Sequence, residues 1–159
     1  MIRAVTGFRQ DEQGDWIADL SCLHSQHVRH QPPFQERPWV LTAEGRTSMI
    51  GSDIGCPLCD RAELPGALQL VRTAGPFDKN TLPAGLRRTH FVAVGTWGRL
   101  RVMDGSVSFS MATEPPVERR LHAGDNQPIP PQVAHHLTVD GPVVLAVDFL
   151  NRGSASNSR

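Results

Sequence analysis

The alternation of apolar and polar residues predicts a β-hairpin at the start of the chain. Residues 4–8 and 16–20 have the pattern of two short strands, and the polar residues 11–14 between them predict the turn. Further along, Thr42 can cap a short helix that runs to about residue 50. The first part of the chain is therefore expected to fold as a hairpin module with one short helix.

After Leu64 the pattern changes to short apolar stretches separated by turn residues, which is typical of β-sandwiches and β-barrels. Asp104-Gly105 is a strong hairpin-turn signal, and residues 77–86 are expected to form a helical turn. Strands are expected at residues 68–72, 88–94, 98–103, 107–111, 118–121, 134–139 and 143–150. The fold class is therefore mainly β.

Composition supports this interpretation, because 14 glycines and 13 prolines in 159 residues favour turn-rich β structure. We expect a Cys/His module at residues 1–64, a β-barrel at 65–152 and a disordered tail at 153–159. Sixteen basic and sixteen acidic residues cancel, so no overall charge attracts the chain to nucleic acid. With no apolar run long enough for a bilayer or a signal peptide, we expect no membrane association and a cytoplasmic location.

The cysteines are the first sign of metal chemistry. All three lie within the first 59 residues, and an odd number argues against a disulfide framework. Cys22 and His24 are two residues apart, so an extended strand would place both on one face. Cys56 and Cys59 have the spacing of a metal-binding turn, and four such donors suit structural zinc.

The choice of histidine is open at this stage. His24 fits the strand geometry best, whereas His27 is an alternative ligand if the chain curls after Ser25. His30 is expected to make a polar contact or to lie at the surface. The competing interpretation is a CxxC redox pair, but the βαβ context of such a motif is missing from the sequence.

The second half of the chain contains a further candidate metal site. His90 and His135 lie on predicted strands, and period-two alternation buries Asp148 on the last one. Two histidines and a carboxylate can hold zinc, iron, manganese or nickel with coordination positions left open. The alternative is that backbone groups satisfy the histidines and that Asp148 pairs with Arg88 or Arg101.

The amino-terminal motif resembles a small bacterial domain family of uncharacterised function. The resemblance covers about residues 3–60 and rests on Cys22-x-His24-x-Gln26-His27-Val28-Arg29-His30-x-Pro32-Pro33 and on Cys56-x-x-Cys59. It implies a short zinc-binding module and brings no known activity.

Residues 68–150 are similar to the tellurite-resistance-related family of small cupin-like proteins, typified by YeaR and by the amino-terminal extension of some TehB methyltransferases. The motifs are His90-x4-Gly95-Thr96-Trp97-Gly98-Arg99-Leu100 and Ile129-Pro130-Pro131-Gln132-Val133-x-His135. The resemblance implies a cupin-like barrel (a double-stranded β-helix or jelly roll) with a metal-binding pocket and no established reaction. Asp148 stands where the family has Glu, and Ala134 replaces a usual Pro.

Two functions remain open from the sequence. The first is a non-catalytic, metal-binding stress protein with structural zinc and a barrel pocket for a metal, small molecule or oxyanion. The second is a small cupin metalloenzyme, oxygenase- or isomerase-like, which would need an acid or base such as His122 or Glu118 near the metal. Arginines near Trp39 raise nucleic-acid binding as a weaker alternative, and a homodimer could bury the open sheet edge. These arginines are Arg29, Arg37 and Arg46.

Overall fold

The structure, a computed structural model, describes residues 1–153. Contacts within the chain divide it into two compact units, Met1–Pro57 and a second unit that begins at Leu58. Of the tail expected at 153–159, only Gly153 is described, and its backbone N–H donates to Asn151 Oδ1; residues 154–159 lie outside the described part. Within residues 1–153, no helix has both the length and the apolar character that a bilayer crossing requires.

The first unit is built on a four-stranded antiparallel sheet with strand order β3-β2-β1-β4. The predicted hairpin is confirmed by β1 and β2, which pair antiparallel. The predicted cap is also present, because Thr42 Oγ1 accepts a hydrogen bond from the Gly45 backbone N–H at 3.0 Å. The elements are β1 (Ile2–Gln10), β2 (Trp16–Leu20), β3 (Ser25–His27), a 3₁₀ turn (Pro38–Leu41), α1 (Ala43–Ser48) and β4 (Asp53–Gly55).

The apolar core of this unit is small. Helix α1 contributes no buried residue, so the sheet and its loops supply the core. The buried aliphatic side chains are Val5, Ile17, Ala18, Leu20, Val28 and Val40. A core of this size gives a domain of about 60 residues little stability, and such domains commonly rely on a metal ion or disulfides.

The second unit is a curled antiparallel sheet, which agrees with the mainly β class that the sequence predicts. A short helix, α2 (Pro57–Asp60), precedes its strands. These are β5 (Gln69–Asp78), β6 (Trp97–Met111), β7 (Val117–His122), β8 (Asn126–Ile129), β9 (His135–Thr138) and β10 (Val143–Asn151), with a 3₁₀ turn at Ala84–Arg87.

Strand β6 is the central strand of this curled sheet. Its first half pairs with β10 and β8, while its second half pairs with β7 and β9. The hairpin predicted at Asp104-Gly105 is therefore wrong, because the strand continues through both residues. Gly105 has a positive φ of 68°, and a Cβ there would lie 2.0 Å from the carbonyl oxygen of Pro142. Gly105 therefore allows the backbone of Pro142 to approach β6 closely, and it does not form a turn that reverses the chain.

Three other predictions differ from the structure. The strand expected at residues 88–94 is absent, since that segment makes one isolated bridge, between His90 and His135. Strand β8 was missed because it contains Pro128, which weakens a strand pattern. The helical turn expected at residues 77–86 begins only at Ala84, because Phe77 and Asp78 still belong to β5.

Replacement of Gly105 by alanine is expected to destabilise the second unit by at least about 2 kcal/mol, because backbone strain and a clash with Pro142 combine. Gly124 is a matched control, since its φ is +94° and nothing lies within 4 Å of its added Cβ. Gly124→Ala should cost only the backbone strain, about 1 kcal/mol. Urea unfolding of both variants measures the difference, and equal losses would show that the contact with Pro142 has no effect.

Candidate metal centre

Four side chains known for metal binding converge in the amino-terminal part of the chain. One donor atom from each of Cys22, His24, Cys56 and Cys59 lies within 4.8 Å of the others, and all four residues are buried. Cys22 Sγ is 3.8 Å from Cys56 Sγ and 3.5 Å from His24 Nδ1. Cys56 Sγ is 3.4 Å from the same nitrogen. The cluster can therefore hold a metal ion through three sulfurs and one nitrogen.

These spacings fit the edges of a tetrahedral site. With Zn–S near 2.3 Å and Zn–N near 2.05 Å, tetrahedral geometry separates two sulfurs by about 3.8 Å and a sulfur from a nitrogen by about 3.5 Å. The observed sulfur–sulfur and sulfur–nitrogen distances agree with these values to about 0.1 Å.

The local structure that delivers these donors differs from the expectation. Cys22 and His24 lie in the tight turn between β2 and β3, not on an extended strand. In that turn Leu23 has a φ of 70°, and the Leu20 backbone N–H donates to the His24 carbonyl at 2.9 Å. Cys56 directly precedes α2 and Cys59 lies within it, so one helical turn brings the two sulfurs to the same side.

The structure separates His27 and His30 from the cluster. His27 lies on β3 with its side chain 49% exposed, and its Nε2 is 2.8 Å from Asp11 Oδ2. The expectation that His27 could replace His24 is therefore wrong, because its ring faces a carboxylate at the surface. His30 makes the polar contact expected of it, since its Nδ1 accepts a hydrogen bond from the Arg37 backbone N–H.

The second unit brings His90 and His135 together. Their ring centroids are 4.1 Å apart, and their backbones exchange hydrogen bonds of 3.0 and 3.1 Å. Both rings line a pocket of about 120 Å³ with a mostly apolar wall. Its other lining residues are Leu86, Phe91, Val92, Leu100, Ile129, Leu137, Val147 and Phe149.

Each of these two rings has a defined tautomer. The Nδ1 atoms of His90 and His135 lie 2.8 Å from the carbonyl oxygens of Arg88 and Val133 respectively. A carbonyl can only accept, so each Nδ1 donates a proton and Nε2 carries the lone pair of the neutral ring. Burial lowers the pKa of His135 to about 4, although the bond to Val133 opposes the shift. His135 is therefore neutral near pH 7.

Asp148 does not join these histidines, so the predicted His90/His135/Asp148 site is wrong. Val147 and Phe149 line the pocket, and strand alternation places Asp148 on the opposite face of β10. There its carboxylate accepts hydrogen bonds from Arg99, Arg101 and Thr73 at 2.8–3.1 Å. The alternative pairing with Arg101 is thus the one observed.

Sequence reasoning missed Arg99 as a partner of Asp148. The register of β6 against β10 places Arg99 directly opposite Asp148. The two-residue spacing of Arg99 and Arg101 could have indicated this partner, because residues two apart on a strand lie on the same face. Burial alone would raise the pKa of Asp148, but hydrogen bonds from Arg101, Arg99 and Thr73 outweigh it and lower the pKa to about 2.

The residues proposed as acid or base lie away from the histidine pair. Ser110 on β6 is directly opposite both Glu118 on β7 and His136 on β9, so these three side chains share one face. Ser110 Oγ donates to Glu118 at 2.5 Å. His135 points to the other face, although it and Glu118 both border a second cavity of about 470 Å³. His122 is exposed, and its backbone N–H donates to Asp125.

Comparison with known families divides the chain in two. Residues 6–63 match the model of a protein of unknown function, DUF3565, and residues 72–147 match the TehB-like domain. No curated protein matches the chain.

Solved structures resemble part of this chain. An Escherichia coli K12 protein is 25% identical with a TM-score of 0.52, and the alignment covers 58% of this chain and 98% of that one. TehB from Haemophilus influenzae is 23% identical with a TM-score of 0.49 over 54% of this chain. The chain spans only 32% of the length of TehB. An Fe(II) HppE structure aligns at 18% identity with a TM-score of 0.35, over 43% of this chain and 36% of that one.

The ion pairs of Asp148 predict a specific loss of stability in acid. Because its pKa is lower in the folded chain than the ordinary value of 3.8, it stabilises the fold above about pH 4. Roughly 2 kcal/mol should be lost as the pH falls from 4 to 2. Urea unfolding between pH 7 and pH 2 should show this loss in the wild type and not in Asp148→Asn, which starts less stable.

Asp140→Asn is the matched control, because Asp140 pairs with Arg120 but its side chain is 60% exposed. That variant should keep the wild-type dependence on pH between 4 and 2. An unchanged acid profile in Asp148→Asn would refute the role assigned to the buried carboxylate.

Proposed function

Because a DUF3565 domain precedes a TehB-like domain in this chain, we propose that the protein is a metal-binding, tellurite-resistance-related stress protein. In this proposal, zinc stabilises the amino-terminal domain and the barrel pocket binds a metal ion or small ligand. The observation that carries it is the convergence of four buried donors, three of which (Cys22, His24 and Cys56) lie at tetrahedral spacing from one another.

Zinc is the metal that this donor set favours. Three cysteines and one histidine form one of the common structural zinc sets, and closed sets of this kind leave no coordination position for a substrate. The cysteines would bind as thiolates, so binding releases protons and contributes directly to folding. His24 would bind through Nδ1, which is the ring atom that faces the two sulfurs.

The barrel pocket would use His90 and His135. Their Nε2 lone pairs are available for a ligand, because both Nδ1 atoms are bonded to backbone carbonyls. A metal-binding histidine commonly makes this second contact, which fixes its tautomer and orientation. A bound ion would act there as a Lewis acid toward a small molecule or oxyanion.

A small metalloenzyme is the second candidate, and the shared cavity of His135 and Glu118 is the observation in its favour. Against it, Glu118 is hydrogen-bonded to Ser110 on the face opposite His135. A binding role therefore has more support than catalysis. Substrate-dependent turnover that Glu118→Gln abolishes without loss of metal would favour the enzyme.

The zinc site is tested by metal content and thermal unfolding of the full chain, purified without chelator. Cys56→Ser should lose the zinc bound at the four-donor cluster and unfold the amino-terminal domain at a lower temperature, because zinc binding supplies folding free energy there. His24→Asn should weaken zinc binding by roughly 10-fold or more. His27→Asn is the matched control and should retain zinc, since His27 contacts Asp11 instead.

If His27→Asn lost zinc and His24→Asn retained it, His27 and not His24 would be the zinc ligand. Full zinc content and an unchanged melting curve in Cys56→Ser would disprove the structural zinc site.

The pocket is tested by the same metal analysis on a different variant. His135→Asn should leave the zinc of the amino-terminal domain in place and remove any additional ion, because it deletes one of two ligands in the pocket. His136→Asn, its neighbour on the other face of β9, should retain both ions. Zinc, iron, manganese, nickel and copper are each offered to the wild type and to His135→Asn. If the wild type binds none of these ions beyond what His135→Asn also binds, the metal-binding role of the pocket is wrong.

A further inference from the structure

We infer that the pocket lined by His90 and His135 binds a small neutral aromatic alcohol, a phenol, whose hydroxyl group donates to an imidazole Nε2. This inference deepens the proposed function, because it rests on the small-ligand role of that pocket and names the class of ligand.

The two imidazoles present hydrogen-bond acceptors to the pocket. Each ring donates from Nδ1 to a backbone carbonyl, which belongs to Arg88 for His90 and to Val133 for His135. Nε2 is the far nitrogen of each neutral ring and carries the lone pair, and within residues 1–153 neither Nε2 has a hydrogen-bond partner. A carboxylate or carbonyl oxygen would place its own lone pairs against these acceptors. A matching ligand therefore has to bring a donor.

The rest of the pocket wall is apolar. Besides the two imidazoles, the wall consists of the rings of Phe91 and Phe149 and of six aliphatic side chains. Glu114 and Glu118 lie in the wall of the second cavity, which His135 also borders, and not among the residues that line this pocket. A neutral ligand loses less hydration against such a wall than an ionic one, because the wall returns few polar contacts.

Size and shape favour a single aromatic ring as the body of the ligand. The pocket has a volume of about 120 Å³, which is slightly smaller than an apolar cavity of about 150 Å³ that holds benzene. Four of the ten lining side chains are themselves rings, and aromatic pairs gain stabilisation beyond the area that they bury. A six-membered aromatic ring thus suits the wall, and a hydroxyl group on it supplies the donor that the imidazoles require.

Burial makes this hydrogen bond a means of selection. His135 is only 4% exposed, so a ligand that fills the pocket separates its Nε2 from water. A ligand of the same shape without a donor then leaves a buried acceptor unsatisfied, which is costly. The pocket should therefore distinguish phenol from fluorobenzene, which has nearly the same shape and no hydroxyl group.

The test is a titration of the zinc-loaded full chain with phenol, fluorobenzene and benzoate at pH 8, where imidazoles are mostly neutral. Binding is followed by the NMR chemical shifts of the protein. We expect phenol to bind with a dissociation constant of roughly 1 mM or lower, and about 10-fold more tightly than fluorobenzene. Benzoate should bind more weakly than either. The nitrogen-15 signal of Nε2 should shift on phenol binding in His90, in His135 or in both.

Variants that retain a ring and remove the acceptor test the role of the imidazoles. At least one of His90→Phe and His135→Phe should lose most of the preference for phenol over fluorobenzene, and thermal melting shows whether each variant is folded. His136→Phe is the matched control, because His136 lies on the other face of β9, and it should keep the preference. The comparison of ligands on the wild type tests the inference even if a variant does not fold.

Equal binding of phenol and fluorobenzene, or tighter binding of benzoate, overturns this inference. If phenol does not bind but the pocket takes up a His135-dependent ion, the inference is wrong and the proposed metal-binding role remains. Phenol binding with no such ion supports the inference and disproves that role. If the pocket binds neither, both are wrong.

Discussion

Convergence of Cys22, His24, Cys56 and Cys59 is the constraint on which the amino-terminal domain depends. Four strands and a short helix bury only a handful of aliphatic side chains, which is a small core for a domain of this size. The donors come from two places in the chain, the β2–β3 turn and the start of α2. A metal ion bound to all four would link the β2–β3 turn to the start of α2 and would supply the free energy that the apolar core lacks.

In the second unit, one buried carboxylate organises the face of the sheet away from the pocket. Asp148 binds two arginines and a threonine from the strands on either side of β10, so it connects β5, β10 and β6. A carboxylate in that position is stable only because every partner is in place. The same arrangement removes Asp148 from the pocket that His90 and His135 line.

The pocket and the cysteine cluster therefore represent two kinds of donor set in one chain. Sulfur donors that become thiolates suit a permanent, closed zinc site. Neutral imidazoles with fixed tautomers, in an apolar wall, would suit the ion or small ligand that we propose for the pocket.

The sequence by itself determined the features that depend on near neighbours in the chain. The spacing of Cys22 with His24 and of Cys56 with Cys59 identified the donors, alternation identified the β1–β2 hairpin, and Thr42 identified the start of α1. These are local effects of backbone geometry and side-chain chemistry. The mainly β class followed from strand-length apolar stretches and frequent turn residues, whereas the cupin-like barrel was what the resemblance of residues 68–150 implied.

Only the tertiary structure decided the questions that depend on strand register. Asp148 and His135 are each on a strand, but which partners they face depends on how β10, β6 and β9 align, and a shift of one residue would exchange the two faces. Asp104-Gly105 has the sequence of a turn but lies inside β6. There Gly105 allows the backbone of Pro142 to come close, which only the tertiary structure shows. His27 was separated from His24 by the tight turn at Leu23, whose positive φ is not evident from a leucine.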